Sequence, residues 1–431
     1  MPASKRALAL IEAVRQRLHC PQFLARHRAH DQAFRRRRRL PFACMILLML
    51  QKGVKSLAGR LAEFFTQGAD GAAAPVTASA WTQGRAKLRP TAFIELNEAA
   101  VLATFYAPEH AAGVRRWCGH RLCALDGSLL HLPHQAALGD HFGWVATANA
   151  KGPCAARHVM ARASVCYDVL NRLVLDARLE PAKGAEREVG ALHLAAVGPG
   201  DVVVTDRGYN GREWFERVRQ AGADFVGRVP RRWHGAADAL FRADAAGVSV
   251  TAELARPGAA ALQVRLVTVR LVTGELEVLA TSLLDEGAYP TAAFGALYAE
   301  RWGVETFYGL LKGRLELENF SGHSVEAVQQ DFFSSVLLGN LESVLSAPAQ
   351  AALSAGDAQR QQSARVNRAR SFQALKGRAL ALFDREAPAE VILAELTCLM
   401  QAAPVAQRRQ RRPTAAGRSL HHQRYQKKHV F

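Results

Sequence analysis

The sequence predicts an α/β protein, with a helical N-terminal domain, a mixed-sheet core carrying a β-rich insertion, and a basic C-terminal tail. Three observations lead to that expectation. Apolar residues recur at helical spacing through the first hundred residues. From about residue 120 the texture changes to strand runs that later alternate with amphipathic helices, the pattern of a mixed sheet with helices on its faces. Beyond Pro404 apolar residues become scarce and Lys and Arg dominate. With 431 residues, about half of them apolar, the chain can form two to four domains and at least one sizeable core.

Residues 1 to about 30 read as a helix, with Leu8, Ile11, Val14 and Leu18 on one face. The run Arg35, Arg36, Arg37, Arg38, Arg39 follows. Pro41 then suits the first turn of a helix reaching about Gln51. Gly53 breaks the pattern. A short helix over 56–65 places Leu57, Leu61 and Phe64 together, and the Gly/Ala-rich stretch 66–75 reads as a loop. Thr77 is a good N-cap for a helix over 78–88, and Pro90 opens another to about Thr104. Helix, loop, then a helix bearing Trp81, Gln83, Arg85 and Lys87 resembles a helix-turn-helix. DNA contact by this helix and plain helical packing both remain open.

Strands are expected over 121–132, 163–170 and 173–179, the last two forming a hairpin about Asn171. An amphipathic helix over 184–197 precedes a short buried strand, 201–205, which ends at Asp206. A helix over 211–221 and a strand over 224–229 follow. Residues 231–285 leave this alternation, with β-rich runs 262–273 and 275–284 joined at Gly274. Two helices, 291–317 and 324–345, close the core, and the Ala/Gln/Arg-rich remainder reads as helical before the tail. The expected domains are 1–110, helical; 118–346, the mixed-sheet core, with 231–285 as its insertion; and 347–431, helical with a basic tail.

The net charge of +18 sits almost entirely at the ends. Residues 1–40 hold 11 Lys and Arg against 2 Asp and Glu, and residues 401–431 hold 8 against none. The 360 residues between are nearly balanced, at 37 against 36. Basic arms around a neutral body point to a polyanion partner, nucleic acid first and anionic lipid second, with solvated tails as the bland alternative. The seven cysteines are scattered without a C-x-x-C pair, which favours reduced thiols over zinc. The longest apolar run, residues 40–50, is too short to span a bilayer. No basic-then-apolar leader opens the chain, so a cytosolic protein without membrane contact is expected.

Asp126 lies in an apolar strand and Asp206 at the end of another. A carboxylate on a buried strand is costly unless it is paired or binds a cation, and two on adjacent strands can hold hard divalent metals. A strand-end turn or cap is the competing explanation for either. On the helix that follows, Tyr298, Arg301, Glu305, Tyr308 and Lys312 fall within an arc of about 80° along roughly 21 Å. Periodicity alone favours an ordinary solvent face with i,i+4 pairs such as Arg301 with Glu305.

The order Tyr298, Arg301, Glu305, Lys312, spaced Y-(2)-R-(3)-E-(6)-K, resembles the signature of insertion-sequence family four, a group of bacterial DDE transposases. LDGSLLHLP is similar to that family's first aspartate region, although Ser128 stands where Thr is commoner. VVVTDRGYNGREWFERV is similar to the second, ASVCYDVLNRLVLDARL to the central hairpin, and RRLPFACMILLMLQKGVKSLAGRLAEFF to the N-terminal helical domain. The resemblance spans roughly residues 35–345.

It implies an RNase H-like catalytic core interrupted by a β insertion between the second aspartate and the glutamate. It further implies two Mg²⁺ or Mn²⁺ ions, with Asp126 bridging both and Asp206 and Glu305 each serving one. The reaction would be hydrolysis at transposon ends followed by strand transfer, with no covalent enzyme intermediate. Tyr298, Arg301 and Lys312 would grip phosphates of the transposon end rather than metal. Arg207 and the arginines 35–39 are further DNA-binding candidates. Trp233 is the candidate for stacking a flipped base, against the commoner role of a core residue. Partners implied are terminal inverted repeats, target DNA and a second copy of the chain, acting at the bacterial nucleoid. A metal-dependent nuclease on the same fold and a non-catalytic DNA-binding derivative are the alternatives.

Overall fold

The computed structural model describes residues 2–36, 40–53, 57–66, 76–149, 152–356, 363–383 and 388–406. Most of the described residues among the first hundred are helical, but the N-terminal thirty do not form one unbroken helix. Pro2–Leu18 and Pro21–His27 are separate, because Cys20 stands extended before Pro21, which supplies no N–H and disfavours helix in the residue before it. Phe42–Leu50 follows, buried at every position but Cys44. Leu57–Thr66 and Ala78–Arg85 come next. Thr77 caps the latter as expected, its hydroxyl accepting from the Ala80 N–H at 3.2 Å.

The helix bearing Trp81 and Arg85 packs rather than presenting those residues to DNA. Trp81 is 2% exposed. Arg85 turns inward, its Nη2 2.7 Å from Asp331 and its Nε 2.6 Å from Gln330, both on the long helix Val325–Leu345. The helix also ends at Arg85 rather than Leu88.

One nine-stranded sheet organises the rest. Its strands are β1 Arg121–His131, β2 Trp144–Asn149, β3 Gly152–Asp168, β4 Leu173–Pro181, β5 Asp201–Thr205, β6 Asp224–Val229, β7 Ser249–Arg256, β8 Ala259–Arg270 and β9 Leu276–Thr281. Their order is β2-β3-β1-β5-β6-β9-β8-β7, with β4 also paired to β3. β5 runs parallel to β1 and β6 parallel to β5; all other pairs are antiparallel. The expected β insertion is therefore joined to the core: β9 pairs with β6, so its strands extend the central sheet. A helix, Gly235–Ala243, precedes them, which the β-rich reading did not include.

Strand alternation sorts side chains onto two faces. Leu122 and Ala124 of β1, with Val202 and Val204 of β5, join the apolar core shared with the N-terminal helices and Val325–Leu345. Cys123, Leu125 and Val203 join a second core beneath Arg212–Gln220 and Gly235–Ala243. Among the described residues no helix is long and apolar enough to cross a membrane.

Candidate active site

The parallel register of β1 and β5 pairs Arg121 with Asp201, Leu122 with Val202, Cys123 with Val203 and Ala124 with Val204. Two residues beyond that last pair, each strand carries an aspartate: Asp126 on β1 and Asp206 just past β5. Since side chains alternate, both lie on the face of Ala124 and Val204. Asp126 accepts from the Gly127 N–H at 2.9 Å and Asp206 from the Gly208 N–H at 2.8 Å. Burial pushes the Asp126 carboxyl up to about 7; the Gly127 N–H opposes this, Glu186 and Asp206 add to it, and Arg301 offsets part.

The predicted helix over 291–317 forms from Ala293 to Arg314. Ala293–Glu300 passes through Arg301, which keeps helical dihedrals (φ −52°, ψ −34°), into Trp302–Gly309, and the chain then widens into a π-helical turn, Leu310–Arg314. Such wide turns recur at functional sites. The Trp302–Gly309 helix is fastened across β1: the Tyr308 hydroxyl donates to the Asp126 carbonyl at 2.9 Å, and Lys312 Nζ donates to the Leu129 carbonyl at 2.6 Å. Burial lowers the Lys312 pKa, while the charge of Glu318 opposes that.

Glu305 thus lies on a helix packed against the Asp126 strand, but its carboxylate faces a cation. Its Oε1 accepts from Arg301 Nη2 at 3.0 Å, and its side chain is 40% exposed. Among the described residues no three His, Cys, Asp or Glu side chains gather closely enough to hold a metal ion. The structure brings Asp126 and Asp206 together and leaves Glu305 paired with Arg301. In chemistry the donor set still fits a hard divalent cation, being all carboxylate oxygen at a partly buried strand end.

The residues expected to grip phosphate are largely buried. Tyr298 is 1% exposed, and its hydroxyl lies beside the Arg301 guanidinium. Arg301 is 5% exposed, with its Nε unpartnered among the described residues. Arg207 is half-exposed and held by Glu277 on β9 at 3.2 Å; Glu277 is fully buried and also paired with Arg228 on β6. Arg35 and Arg36 are exposed, whereas Arg37, Arg38 and Arg39 lie outside the described residues. Trp233 packs edge-on against Phe215 at 6.0 Å, at the margin of the second core.

One carboxylate escaped the sequence reading. Glu186, at the start of the helix Glu186–Leu192, reaches over Gly127, where an added Cβ would stand 3.1 Å from its Oε1. Gly127 alternates to the face opposite Asp126, so Glu186 approaches the strand end from behind Asp126. The signal available in the sequence was the Gly of Asp126-Gly127, which marks a close approach, but nothing local names the residue that approaches.

Residues 117–341 match the family of transposase DDE domains. That match covers more than half of the chain, and the protein belongs to this family. A relative from Sinorhizobium fredii (strain NBRC 101917 / NGR234), y4zB, provisionally named a transposase, is 28% identical over 152 residues. The match spans 33% of this chain and 42% of the relative, so the chain covers under half of that protein's length.

Proposed function

We propose that this chain is a cut-and-paste DNA transposase of insertion-sequence family four, which cleaves transposon ends and joins them to target DNA. The observation that carries the reading is the β1–β5 register, which sets Asp126 beside Asp206 at one end of adjacent parallel strands inside a transposase DDE domain. The antiparallel β1, β3 and β4 followed by parallel β5 and β6 support an RNase H-like core. Residues 1–110 would serve as a helical DNA-binding domain, 118–346 as the catalytic domain and 347–431 as a helical region with a basic tail. The active form would be a dimer on paired DNA ends, in the cytoplasm at the nucleoid.

Asp126, Asp206 and Glu305 would hold two Mg²⁺ or Mn²⁺ ions, whose chemistry is to activate a water or DNA 3′-hydroxyl and to neutralise the leaving oxygen. To take part, Glu305 would have to leave its ion pair with Arg301, and the Arg301 guanidinium would then suit a phosphate in bidentate fashion. The Arg301 Nε, unpartnered among the described residues, supports this, since a buried donor is costly unless something accepts from it. Lys312 fixes the β1 edge from the same helix, and Glu186 adds negative charge behind Asp126.

The test is cleavage of a supercoiled plasmid bearing the element's own ends, with Mg²⁺ or Mn²⁺. Wild type should cut and yield joined products, while Asp126→Asn, Asp206→Asn and Glu305→Gln should bind the ends without cutting. Equal cutting by Glu305→Gln would remove it from the triad. Cutting without joined products would point to a nuclease, and binding by wild type with no cleavage to a non-catalytic derivative.

A further inference from the structure

A cavity of about 440 Å³ forms where three parts of the chain meet. One is residues 51–53 after the helix Phe42–Leu50, with Arg60 and Glu63 of Leu57–Thr66; another is the π-helical turn Leu310–Arg314 with the residues after it; and the third is the helix Arg368–Phe383. Its charged lining is Lys52, Arg60, Arg314 and Lys376 against Glu63 and Glu316, a surplus of cations. Three of the four cations are drawn from solvent. Lys52 is 8% exposed, with its Nζ 3.4 Å from Asp331 and 3.3 Å from the Leu317 carbonyl. Arg60 is 6% exposed, and its Nε has no hydrogen-bond partner among the described residues. The Lys376 ammonium donates to the Lys52 carbonyl, and burial with the charges of Lys52 and Arg60 pushes its pKa down to about 8.

The buried carboxylate behind them, Asp331, is already engaged by Arg85 at 2.7 Å and by Ser321. Buried cations that outnumber their carboxylates are costly unless an anion compensates. Lysine and arginine donors converging on an open cavity match phosphate oxygens.

We propose that this cavity is a phosphate-binding site, taking one phosphate group on Arg60, Lys376 and Arg314. Two sources carry that chemistry: free phosphate and the DNA backbone. The DNA source rests on the transposase reading. Arg314 follows Glu305 by nine residues, roughly 14 Å of helix, so a duplex engaged at the aspartates and lying along this helix would bring its backbone to the cavity mouth.

The experiment titrates inorganic phosphate into the full-length chain by calorimetry, with a melting scan in chloride of matched ionic strength as control. Phosphate should bind at one site and raise the melting temperature above the chloride control. Arg314→Ala, at an exposed position that leaves the fold intact, and Lys376→Met should each weaken phosphate binding about tenfold. Absence of phosphate binding by wild type, or variants that bind it as wild type does, would overturn the proposal. In a second arm, duplex DNA is titrated across salt concentrations. A fall in the log–log salt slope of about 0.9 in Lys376→Met identifies the DNA backbone as the source. An unchanged slope together with lost phosphate binding identifies free phosphate. Because the phosphate arm needs neither cleavage nor DNA, it stands or fails separately from transposase activity.

Discussion

The Tyr308 hydroxyl donates to the main-chain carbonyl of Asp126 at 2.9 Å, with the Ala163 carbonyl 3.2 Å from the same oxygen. One phenol therefore ties the helix Trp302–Gly309 to β1 and β3 at the strand end that bears the first aspartate. Tyr308→Phe should cost about 1 kcal/mol of stability, the usual cost of losing such a bond, and should lower end cleavage by more than that while DNA binding is retained. Urea unfolding beside a cleavage time course checks this. An unchanged urea midpoint with unchanged cleavage would show that the tether has no role.

The pair formed by Arg85 and Asp331 is fully buried. Asp331→Asn leaves the buried Arg85 charge uncompensated, at an expected cost of about 3–5 kcal/mol, while Arg85→Met leaves Asp331 paired with Lys52 at 3.4 Å and should cost less. Burial alone would raise the Asp331 pKa, but Arg85, Lys52 and Ser321 outweigh it and hold it at about 2. A depressed carboxylate stabilises the fold above its unfolded pKa of about 4 and loses that contribution as pH falls toward 2. Unfolding midpoints should therefore drop between pH 4 and pH 2 in wild type, and the drop should shrink in Asp331→Asn. Parallel pH profiles for the two proteins would remove Asp331 from the acid sensitivity.

Glu186 reaches over the strand end beside Asp126, whereas Glu305 is paired with Arg301, and the two should behave differently. Glu305→Gln is expected to abolish cleavage. Glu186→Gln removes negative charge from behind Asp126 and should weaken Mn²⁺ binding about tenfold while leaving measurable cleavage. Mn²⁺ titration followed by paramagnetic resonance separates the two. If Glu186→Gln bound Mn²⁺ as wild type does, Glu186 would be a bystander.

Residues 405–431 carry eight Lys and Arg and no Asp or Glu. Their removal should weaken non-specific DNA affinity and flatten its salt dependence, while Mn²⁺ binding at the aspartates is kept. Filter binding from low to moderate salt checks this, and equal affinity at low salt would deny the tail a role.

The sequence by itself determined the local elements and the separation of charge. Apolar alternation marked β1, β5 and β6, Thr77 marked a helix start, and Asp126 and Asp206 were visible because each interrupts or ends an apolar strand. Basic residues at both ends were legible without any fold. What periodicity could not supply was partnership. Arg85 carried the same charge whether it faced DNA or Asp331, and only the packing of Val325–Leu345 against its helix turned it inward. The runs after residue 231 were β-rich in isolation, yet hydrogen bonding to β6 made them part of the main sheet. On the Glu305 helix the Arg301 guanidinium was held by Glu305 one turn on rather than left free for DNA. Glu186, about 60 residues after Asp126, joined the site because the hairpin of β3 and β4 returns the chain to the strand end. Strand pairing and helix docking bring together residues far apart in the chain, so electrostatic neighbours at this site were set by the tertiary structure, while the donors themselves were written in the sequence.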